Sequence, residues 1–403
     1  MTRRISIIVL LSGLLGLSPD AFSEALRVAT FNVAMGLDRQ GALAERLSTG
    51  EDPGLRAMAE VLQRVRPDIV LVNEFDYAAF TPAAQRLSKH YLARAQKPEL
   101  EPIDYPYHYT APVNTGVGSG LDLDGDGQLN GPGDAWGFGR FPGQYGMLLL
   151  SRWPIDTETV RTFQNFRWSQ LPGSEPPAAP GEPAFYDDAT WAALRLSSKS
   201  HWDIPVQTPA GTVHVLASHP TPPVFDGPED RNGLRNRDEI RFWAEYIEPG
   251  QGAALVDDQG VAGGLPVDAT WVMLGDLNAD PLDGESPPGG IDRFMSADWV
   301  NHDCTPASAG GVDAAERQAG ANARHRGDPA HDTADFDDRH AGNLRVDYVL
   351  TGSASRVRDC GVFWPAPGEP SHNIVEFSDH RLVWIDLEPA GYNPATDNRV
   401  TEP

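Results

Sequence analysis

Polar side chains that can bind a cation or move a proton stand at the ends of several short apolar runs in this sequence. They are Asn32, Glu74, His219, Asp276, Asn278, Asp347, Asp379 and His380. An apolar core does not select amides, carboxylates and imidazoles at such positions. Because ligands in open sheets gather where strand ends converge, we expect these side chains to form one site for a hard cation, with acid–base groups beside it.

The elements that must position these residues are short and alternate in type. Runs rich in Val, Ile and Leu, bounded by turn residues, predict strands. They are Leu26–Val33, Asp68–Val72, Tyr145–Ser151, Thr190–Ser197, Thr212–Ser218, Thr270–Leu274, Leu344–Thr351 and His380–Leu387. Apolar residues at helical spacing predict helices over Leu55–Val65 and Arg237–Ile247. Strands that alternate with helices indicate an α/β or α+β fold.

Taken together and in this order, the motifs resemble the endonuclease/exonuclease/phosphatase superfamily, which includes deoxyribonuclease I, abasic-site endonucleases, inositol-polyphosphate 5-phosphatases and bacterial sphingomyelinases. The matching stretches are LRVATFNVAMG (26–36), PDIVLVNEFD (67–76), YGMLLLSRWPI (145–155), VHVLASHP (213–220), VMLGDLNADP (272–281), LRVDYVL (344–350) and SDHRLVWIDL (378–387). The resemblance implies a deoxyribonuclease I-like α/β (α+β) four-layer sandwich. In it, two face-to-face mixed β-sheets are flanked by helices, and the site lies at one rim.

Carried over position by position, the resemblance implies a catalytic Mg²⁺ or Mn²⁺ site. Glu74 resembles the main metal ligand of the family and Asn32 lies beside it, while Asp379 is expected to reach the metal directly or through water. Carboxylate and amide oxygens suit these hard cations, which keep several waters and bind substrate phosphate directly.

The resemblance also implies the groups that act on water and phosphate. Asp276 resembles the residue that orients and deprotonates the attacking water, and Asn278 would hold that water or a phosphate oxygen. His380 resembles the histidine that contacts the phosphate, with Asp347 as its carboxylate partner. His219 resembles the histidine that protonates the leaving oxygen or stabilises the phosphorane. Hydrolysis of a phosphoester needs each of these functions, namely a base, charge neutralisation and help for the leaving group.

Two positions depart from the family pattern. Asn73 precedes the metal glutamate where Gln is frequent, and we expect it to tune the site without abolishing it. Pro220 follows His219 where several relatives have Leu, within a Pro-rich turn. This turn is expected to fix His219 and shape the pocket, and it leaves the substrate branch of the family open.

Composition narrows the choice of substrate. The chain has 403 residues and a formal net charge of −25, which argues against a protein that coats DNA, because such proteins are basic. An enzyme that meets phosphate at one metal-neutralised point is not excluded. Lysine occurs only at Lys89, Lys97 and Lys199, a scarcity that we attribute to codon bias.

The N-terminus predicts export. Residues 1–23 have a charged start, an apolar stretch over Ile5–Leu17 and small residues before the expected cleavage point, which is the pattern of a signal peptide. A membrane anchor is the alternative, although the apolar stretch is shorter than the roughly 20 residues of a span. The sequence does not separate periplasmic from extracellular location. In an oxidising compartment Cys304 and Cys360 are expected to form a disulfide, with two separate buried thiols as the alternative.

Residues 24–389 are expected to form one endonuclease/exonuclease/phosphatase domain with long loop insertions at about 98–143, 164–188 and 305–343, followed by a flexible tail at 390–403. The part of the last insertion that precedes the Asp347 strand is expected to help wall the pocket.

A second metal site is predicted from Asp122, Asp124 and Asp126, because the D-x-D-x-D-G spacing is that of a calcium loop and Gly127 supplies the sharp turn. Position 12 of the loop is Gly133 instead of the bidentate glutamate. We predict a structural Ca²⁺ site; the alternative is a turn-rich acidic loop without an ion.

These observations predict an exported, divalent-metal-dependent phosphoester hydrolase, a phosphodiesterase or phosphatase, that uses metal-assisted attack of an activated water on phosphorus. The expected partner is a phosphoester substrate: a small phosphoester, a nucleic acid or a phospholipid head group. No stable membrane span and no protein partner are evident. The alternatives are a secreted nuclease that acts on DNA or RNA and, in another class, a catalytically silent calcium-stabilised binding module.

Overall fold

The strands of the protein alternate apolar side chains between two buried faces. In the computed structural model, which describes residues 25–78 and 82–388, Val28 packs between the two large sheets, whereas Ala29 and Phe31 pack against helices on the opposite face. This two-residue period is what a strand buried on both sides requires. The predicted signal peptide and flexible tail lie outside the described residues.

The described part of the chain contains thirteen strands. They are β1 (Leu26–Met35), β2 (Ile69–Phe75), β3 (Tyr107–Tyr109), β4 (Met147–Ser151), β5 (Arg161–Thr162), β6 (His201–Thr208), β7 (Gly211–Ser218), β8 (Thr270–Asp276), β9 (Ala334–Asp335), β10 (Asn343–Leu344), β11 (Asp347–Thr351), β12 (Arg356–Phe363) and β13 (Leu382–Glu388).

Two mixed sheets contain all of these strands except β9 and β10, which pair with each other. The six-stranded sheet has the order β12-β13-β1-β2-β4-β3, and the five-stranded sheet has the order β11-β8-β7-β6-β5. Strands β1 and β2 are parallel, as are β7 and β8, and the other neighbours within the two sheets are antiparallel.

The helices of the described residues are α1 (Ala42–Thr49), α2 (Pro53–Val65), α3 (Ala83–Leu87), α4 (Asp188–Ala193), α5 (Arg231–Ile247), α6 (Ile291–Ser296) and α7 (Ala309–Gln318). A π-helical turn, Ser88–Leu92, continues α3. Short 3-10 turns lie at Pro132–Asp134, Trp168–Gln170, Gly252–Ala254, Asn322–Arg324, Pro329–His331 and His372–Phe377.

Three apolar layers hold the sandwich together. Between the sheets, Val28 and Leu71 of the six-stranded sheet belong to the same buried cluster as Val215 and Val272 of the five-stranded sheet. The outer face of the six-stranded sheet packs against α1 and α2. The outer face of the five-stranded sheet packs against α5 and α6, with Trp243 buried in that layer. The predicted four-layer sandwich is confirmed.

Two predictions about local structure were wrong, and some strands were missed. Thr190–Ser197 is not a strand: Asp187 accepts a hydrogen bond from Thr190 N at 2.7 Å and caps α4, so a polar N-cap overrides the apolar content of the run. The predicted connection 305–343 contains α7, which Ser308 caps in the same way. Strands β6 and β12 were not predicted.

A disulfide joins Cys304 to Cys360 of β12, with 6.2 Å between the two Cα atoms, as the sequence led us to expect. It ties the edge of the six-stranded sheet to the loop that precedes α7. Among the described residues, no helix has the length and apolar character that a membrane crossing needs.

Candidate active site at the rim of the two sheets

Strand direction brings the predicted site residues to one rim. The carboxyl ends of parallel strands share an edge, so Asn32 and Glu74 meet at the ends of β1 and β2, and His219 and Asp276 meet at the ends of β7 and β8. Because β11 is antiparallel to β8, its first residue Asp347 pairs directly with Asp276.

The amide of Asn32 joins the two sheets at this rim. Its nitrogen donates to Asp276 Oδ2 at 2.9 Å and to Glu74 Oε1 at 3.2 Å, and its oxygen accepts the Ala34 amide at 3.1 Å. The carboxylate of the predicted base is thereby fixed beside the carboxylate of the predicted metal ligand. Asn32 presents nitrogen to both carboxylates, and its role as a metal ligand stays a prediction.

His380 lies between two carboxylates. Its Nδ1 is 2.9 Å from Asp347 Oδ2 and its Nε2 is 3.6 Å from Asp276 Oδ2. Burial disfavours the imidazolium, but the attraction of Asp347 and Asp276 outweighs it and raises the pKa of His380 to about 10. His380 is therefore a cation at neutral pH. The Ser378 hydroxyl fixes it by donating to the Asn32 carbonyl and accepting from His380 N.

His219 has the opposite electrostatic character. Its Nε2 is 3.4 Å from Asp276 Oδ2, and the side chain is 3% exposed. Burial lowers the pKa of His219 well below its usual value, and the positive charges of Lys199 and His380 lower it further. The site thus combines a neutral imidazole with a charged one.

Burial also raises the pKa of the carboxylates. For Asp276, desolvation and the nearby charge of Asp347 outweigh the attraction of His380 and raise the pKa to about 6. Desolvation raises the pKa of Glu74 as well. Asp276 is ionised at neutral pH but holds a proton more readily than an exposed aspartate, which suits a general base.

The backbone is locally unusual where β2 and β8 end. Glu74 has φ of 54° and Asn278 has φ of 52°, a left-handed conformation that asparagine tolerates better than glutamate. The turn after β8 points Asn278 N at Asp276 Oδ1, 2.9 Å away. A side chain at Gly275 would place Cβ 2.1 Å from Ser218 O, so this strand pair requires glycine.

Asn73 supports the site by holding the backbone of Asp276. Its Oδ1 accepts from Thr30 Oγ1 at 3.2 Å and from the backbone nitrogen of Asp276 at 3.3 Å. A residue of the six-stranded sheet therefore holds the end of β8 in the other sheet. This position agrees with the expected supporting role of Asn73.

The rim has the donor set of a cation site, and we name Asp276, Asp347 and His380 the strand-end cluster. Their ligand atoms lie within 4.8 Å of one another, and all three residues are buried. Asp347 Oδ1 is buried with no hydrogen-bond partner among the described residues, so this carboxylate oxygen is available to a ligand. A divalent cation would relieve the repulsion between these carboxylates, and the residues fit such an ion. The Asp379 side chain, 53% exposed, has its Oδ1 4.0 Å from His380 Nε2.

Three contributors to the site were not predicted from the sequence. Lys199, buried two residues before β6, donates to the carbonyl of Pro220 in the turn after β7. Glu239 of α5 accepts hydrogen bonds from the backbone of that turn and of the segment before β6. Phe336 contacts the His380 ring edge-on at 5.5 Å, which agrees with the expectation that its loop walls the pocket. The scarcity of lysine in the chain was a signal that could have singled out Lys199.

The second predicted metal site lies on the surface. Asp122, Asp124 and Asp126, which we name the acidic loop, also have ligand atoms within 4.8 Å of one another. Their oxygens accept hydrogen bonds from backbone nitrogens of the same loop. Asp134, the carboxylate that follows loop position 12, is buried and accepts from Leu123 N and Gly131 N. Calcium binding by the acidic loop stays a prediction.

A model of the Endonuclease/Exonuclease/phosphatase family matches residues 29–380, which include all the residues of the strand-end cluster. The chain belongs to this family. Endonuclease/exonuclease/phosphatase enzymes are metal-dependent hydrolases of phosphoester bonds, and the predicted enzyme class is confirmed. A search of curated proteins finds no match to the chain.

Several solved structures are similar to this one at low sequence identity. An endonuclease/exonuclease/phosphatase from Beutenbergia cavernae is 18% identical, covering 91% of this chain and 72% of its own, with a TM-score of 0.48. The human Nocturnin catalytic domain with bound sulfate is 14% identical, with coverages of 91% and 95% and a TM-score of 0.44. Sphingomyelinase C from Streptomyces griseocarneus is 15% identical, with coverages of 91% and 99% and a TM-score of 0.43.

Proposed function

We propose that the protein hydrolyses a small phosphoester, a phosphodiester or a phosphomonoester, with Mg²⁺ or Mn²⁺ as its cofactor and after export from the cell. The observation that carries the proposal is a carboxylate base, Asp276, placed between a neutral His219 and a charged His380 at one buried rim. A net charge of −25 favours a small substrate over a long duplex, because an acidic surface gains no counterion release on DNA. The disulfide supports export, because such bonds persist in oxidising compartments.

Each side chain has a task that its surroundings support. Asp276 accepts the proton of the attacking water, since a base with a pKa of about 6 is ionised at neutral pH. The imidazolium of His380, held by Asp347, neutralises charge that develops on the phosphate oxygens. Neutral His219 donates a hydrogen bond from its one N–H to the leaving oxygen and keeps that proton, while the leaving oxygen takes its own proton from solvent. Asn278 donates one amide hydrogen to Pro220 O and has a second for water or phosphate.

Glu74, together with Asp276 and Asp347, would hold the divalent cation, with Asp379 near the cluster. When bound, the cation supplies Lewis-acid neutralisation of the phosphate oxygens.

A substrate panel tests this function. We would measure hydrolysis of p-nitrophenyl phosphate, bis-p-nitrophenyl phosphate and plasmid DNA with Mg²⁺, Mn²⁺ or Ca²⁺. Asp276→Ala is the blank, and Asp313→Ala, on the surface of α7, is the matched control. Turnover of either aryl phosphate by the wild type and by Asp313→Ala, but not by the blank, is the expected result.

Two other outcomes identify the alternatives. Preferential cleavage of the plasmid would make the protein a secreted nuclease, and equal rates for wild type and blank on every substrate would leave a catalytically silent module. N-terminal sequencing of the protein recovered outside the cytoplasm tests export separately, because a chain that retains residues 1–23 contradicts the predicted cleavage.

A further inference from the structure

Lys199 lies two residues before β6, between the segment that leads into that strand and the turn that follows β7. The residue is only 6% exposed, which is unusual for a lysine. Its Nζ donates to Pro220 O at 3.4 Å. The same carbonyl accepts the side-chain amide of Asn278 at 3.2 Å, so the ammonium and the amide of a site residue converge on one acceptor.

The backbone on both sides of the Lys199 ammonium is rigidly held. Glu239 Oε1 accepts from Ser198 N at 2.6 Å, and Glu239 Oε2 accepts from Thr221 N at 2.6 Å. The carbonyl of Lys199 accepts the Asn114 amide at 2.9 Å. One buried glutamate thus clamps the lysine segment to the turn that carries His219 and Pro220.

The ammonium is not neutralised by a direct ion pair. In the described parts of the chain no carboxylate lies within 4.0 Å of Nζ, and both oxygens of Glu239 are taken by backbone nitrogens. An ammonium has three N–H donors, and Pro220 O is the acceptor that the described residues provide. Burying a charge with so few partners is costly unless another group completes its shell.

The surroundings indicate which group that is. The negative charges of Glu239, Glu74 and Asp276 oppose the lowering of the Lys199 pKa by burial, and the Lys199 charge in turn lowers the pKa of His219. Lys199 and Asn278 both donate to Pro220 O, and the adjacent His219 has its Nε2 3.4 Å from Asp276 Oδ2, so the ammonium borders the space beside the predicted base and Asn278. A group bound in that space by a phosphoester hydrolase is an anionic phosphate.

We propose that Lys199 is a further substrate-binding residue, whose ammonium donates to a non-bridging oxygen of the phosphate. The inference rests on the proposed function, since it names an additional contact for the same substrate. Lys199 and His380 then supply two cations to the phosphate, and Asn278, which shares Pro220 O with Lys199, lies beside the first of them. Charge-assisted hydrogen bonds of this kind are the strong ones.

The test compares Lys199→Met and Lys199→Gln with Lys97→Met, a control at a lysine whose side chain is 48% exposed. The Kd of inorganic phosphate is measured by titration calorimetry in the presence of Mn²⁺. The values of kcat and KM are measured with the aryl phosphate that the wild type hydrolyses, and Tm is measured by calorimetric scanning. We expect both Lys199 variants to weaken phosphate binding by about 10- to 100-fold and to lower kcat/KM by about 100-fold. Lys97→Met should leave all of these values within twofold.

The outcomes separate this inference from the proposed function. If the wild type is active and both Lys199 variants bind phosphate with an unchanged Kd, the role of Lys199 is refuted and the proposed function stands. A wild type that hydrolyses no phosphoester, yet binds phosphate more tightly than the variants, refutes the proposed function and supports Lys199 as a phosphate ligand. No phosphate binding by the wild type refutes the role of Lys199 whatever its activity. If neither variant folds, Lys199 belongs to the fold and the inference is also wrong.

Discussion

The strand-end cluster and the acidic loop have similar spacing of their potential metal-binding atoms but differ in location and burial. Each brings three potential metal-binding atoms within 4.8 Å of one another. The acidic loop does so within five consecutive residues at the surface, and its carboxylates accept hydrogen bonds from backbone nitrogens of the same loop. The strand-end cluster draws its members from three strand ends and buries all of them.

The difference shows that proximity of acids does not by itself make a reactive site. In the acidic loop, local backbone donors already satisfy the carboxylates and water surrounds them. In the strand-end cluster, burial raises the pKa of Asp276 and leaves Asp347 Oδ1 without a partner among the described residues. Cation binding should therefore be more favourable at the strand-end cluster than at the acidic loop.

The largest expected effect that separates the two regions is on turnover. Asp276→Ala removes the base and should lower kcat by about 10³- to 10⁴-fold, the upper range for general-base catalysis. Asp124→Ala in the acidic loop should leave kcat within twofold. Steady-state kinetics with an aryl phosphate measures both variants. Equal losses would mean that the acidic loop takes part in catalysis and that the comparison is wrong.

A smaller loss is expected when the carboxylate beside His380 is replaced by an amide, which keeps one oxygen for the cation but removes the negative charge. Asp347→Asn should lower kcat by about 10- to 100-fold, because the imidazolium loses the carboxylate that favours it. The pKa of His380 is about 10 with Asp347 present, so the alkaline fall in activity should move to lower pH in the variant.

The pH–rate profile of Asp347→Asn is the decisive measurement, with Asp313→Asn on α7 as the control. A profile that keeps its alkaline limit would show that Asp347 does not set the charge of His380.

Removal of the metal should affect stability with a defined pH dependence. The pKa of Asp276 rises to about 6 in the fold from its ordinary value of 3.8, so ionisation of Asp276 destabilises the fold increasingly between these two pH values. A cation competes with protons for these carboxylates. Millimolar Mn²⁺ should therefore raise Tm by about 3 °C at pH 8, as expected for an ion well above its Kd, and by less at pH 5.

Calorimetric scans with Mn²⁺ and with chelator at the two pH values measure this shift. The variant Asp122→Ala, Asp124→Ala should retain it, because the acidic loop is not its origin. An equal shift of Tm at both pH values would show that the metal does not bind to the buried carboxylates.

The smallest effect concerns calcium at the acidic loop. A loop without a closing carboxylate should bind Ca²⁺ with a Kd of about 10⁻⁴ to 10⁻³ M, the range of weak extracellular sites. Isothermal titration should show a heat that Asp122→Ala and Asp124→Ala remove and that Asp276→Ala retains. Identical heats in wild type and loop variants would eliminate the predicted structural site.

The sequence predicted the strands that approach the site better than the elements at the periphery. Strands β1, β2, β7 and β8 were found because buried apolar runs end in polar residues. Strand β6 was missed although Trp202, Ile204 and Val206 alternate, because Pro205 and charged neighbours interrupt the run. Strand β12 was missed because it lies at a sheet edge, where exposed residues replace the apolar pattern.

The site followed the same rule. Residues in short recognisable motifs, such as Asp276 and His380, were found from the sequence. Lys199 and Glu239 were not, because their roles depend on contacts between segments about 20 to 40 residues apart that only the packed chain brings together. The orientation of the Asn32 amide is likewise decided by its neighbours and has no trace in the sequence.

One hydrogen bond couples the chemistry to the packing of the whole molecule. Asn73 belongs to one sheet and holds the backbone of Asp276 in the other, while its neighbour Glu74 supplies the expected metal ligand. Any sliding of one sheet over the other must shift the base relative to that ligand. Substitutions in the apolar layer between the sheets should therefore lower kcat, even where they lie far from the phosphate.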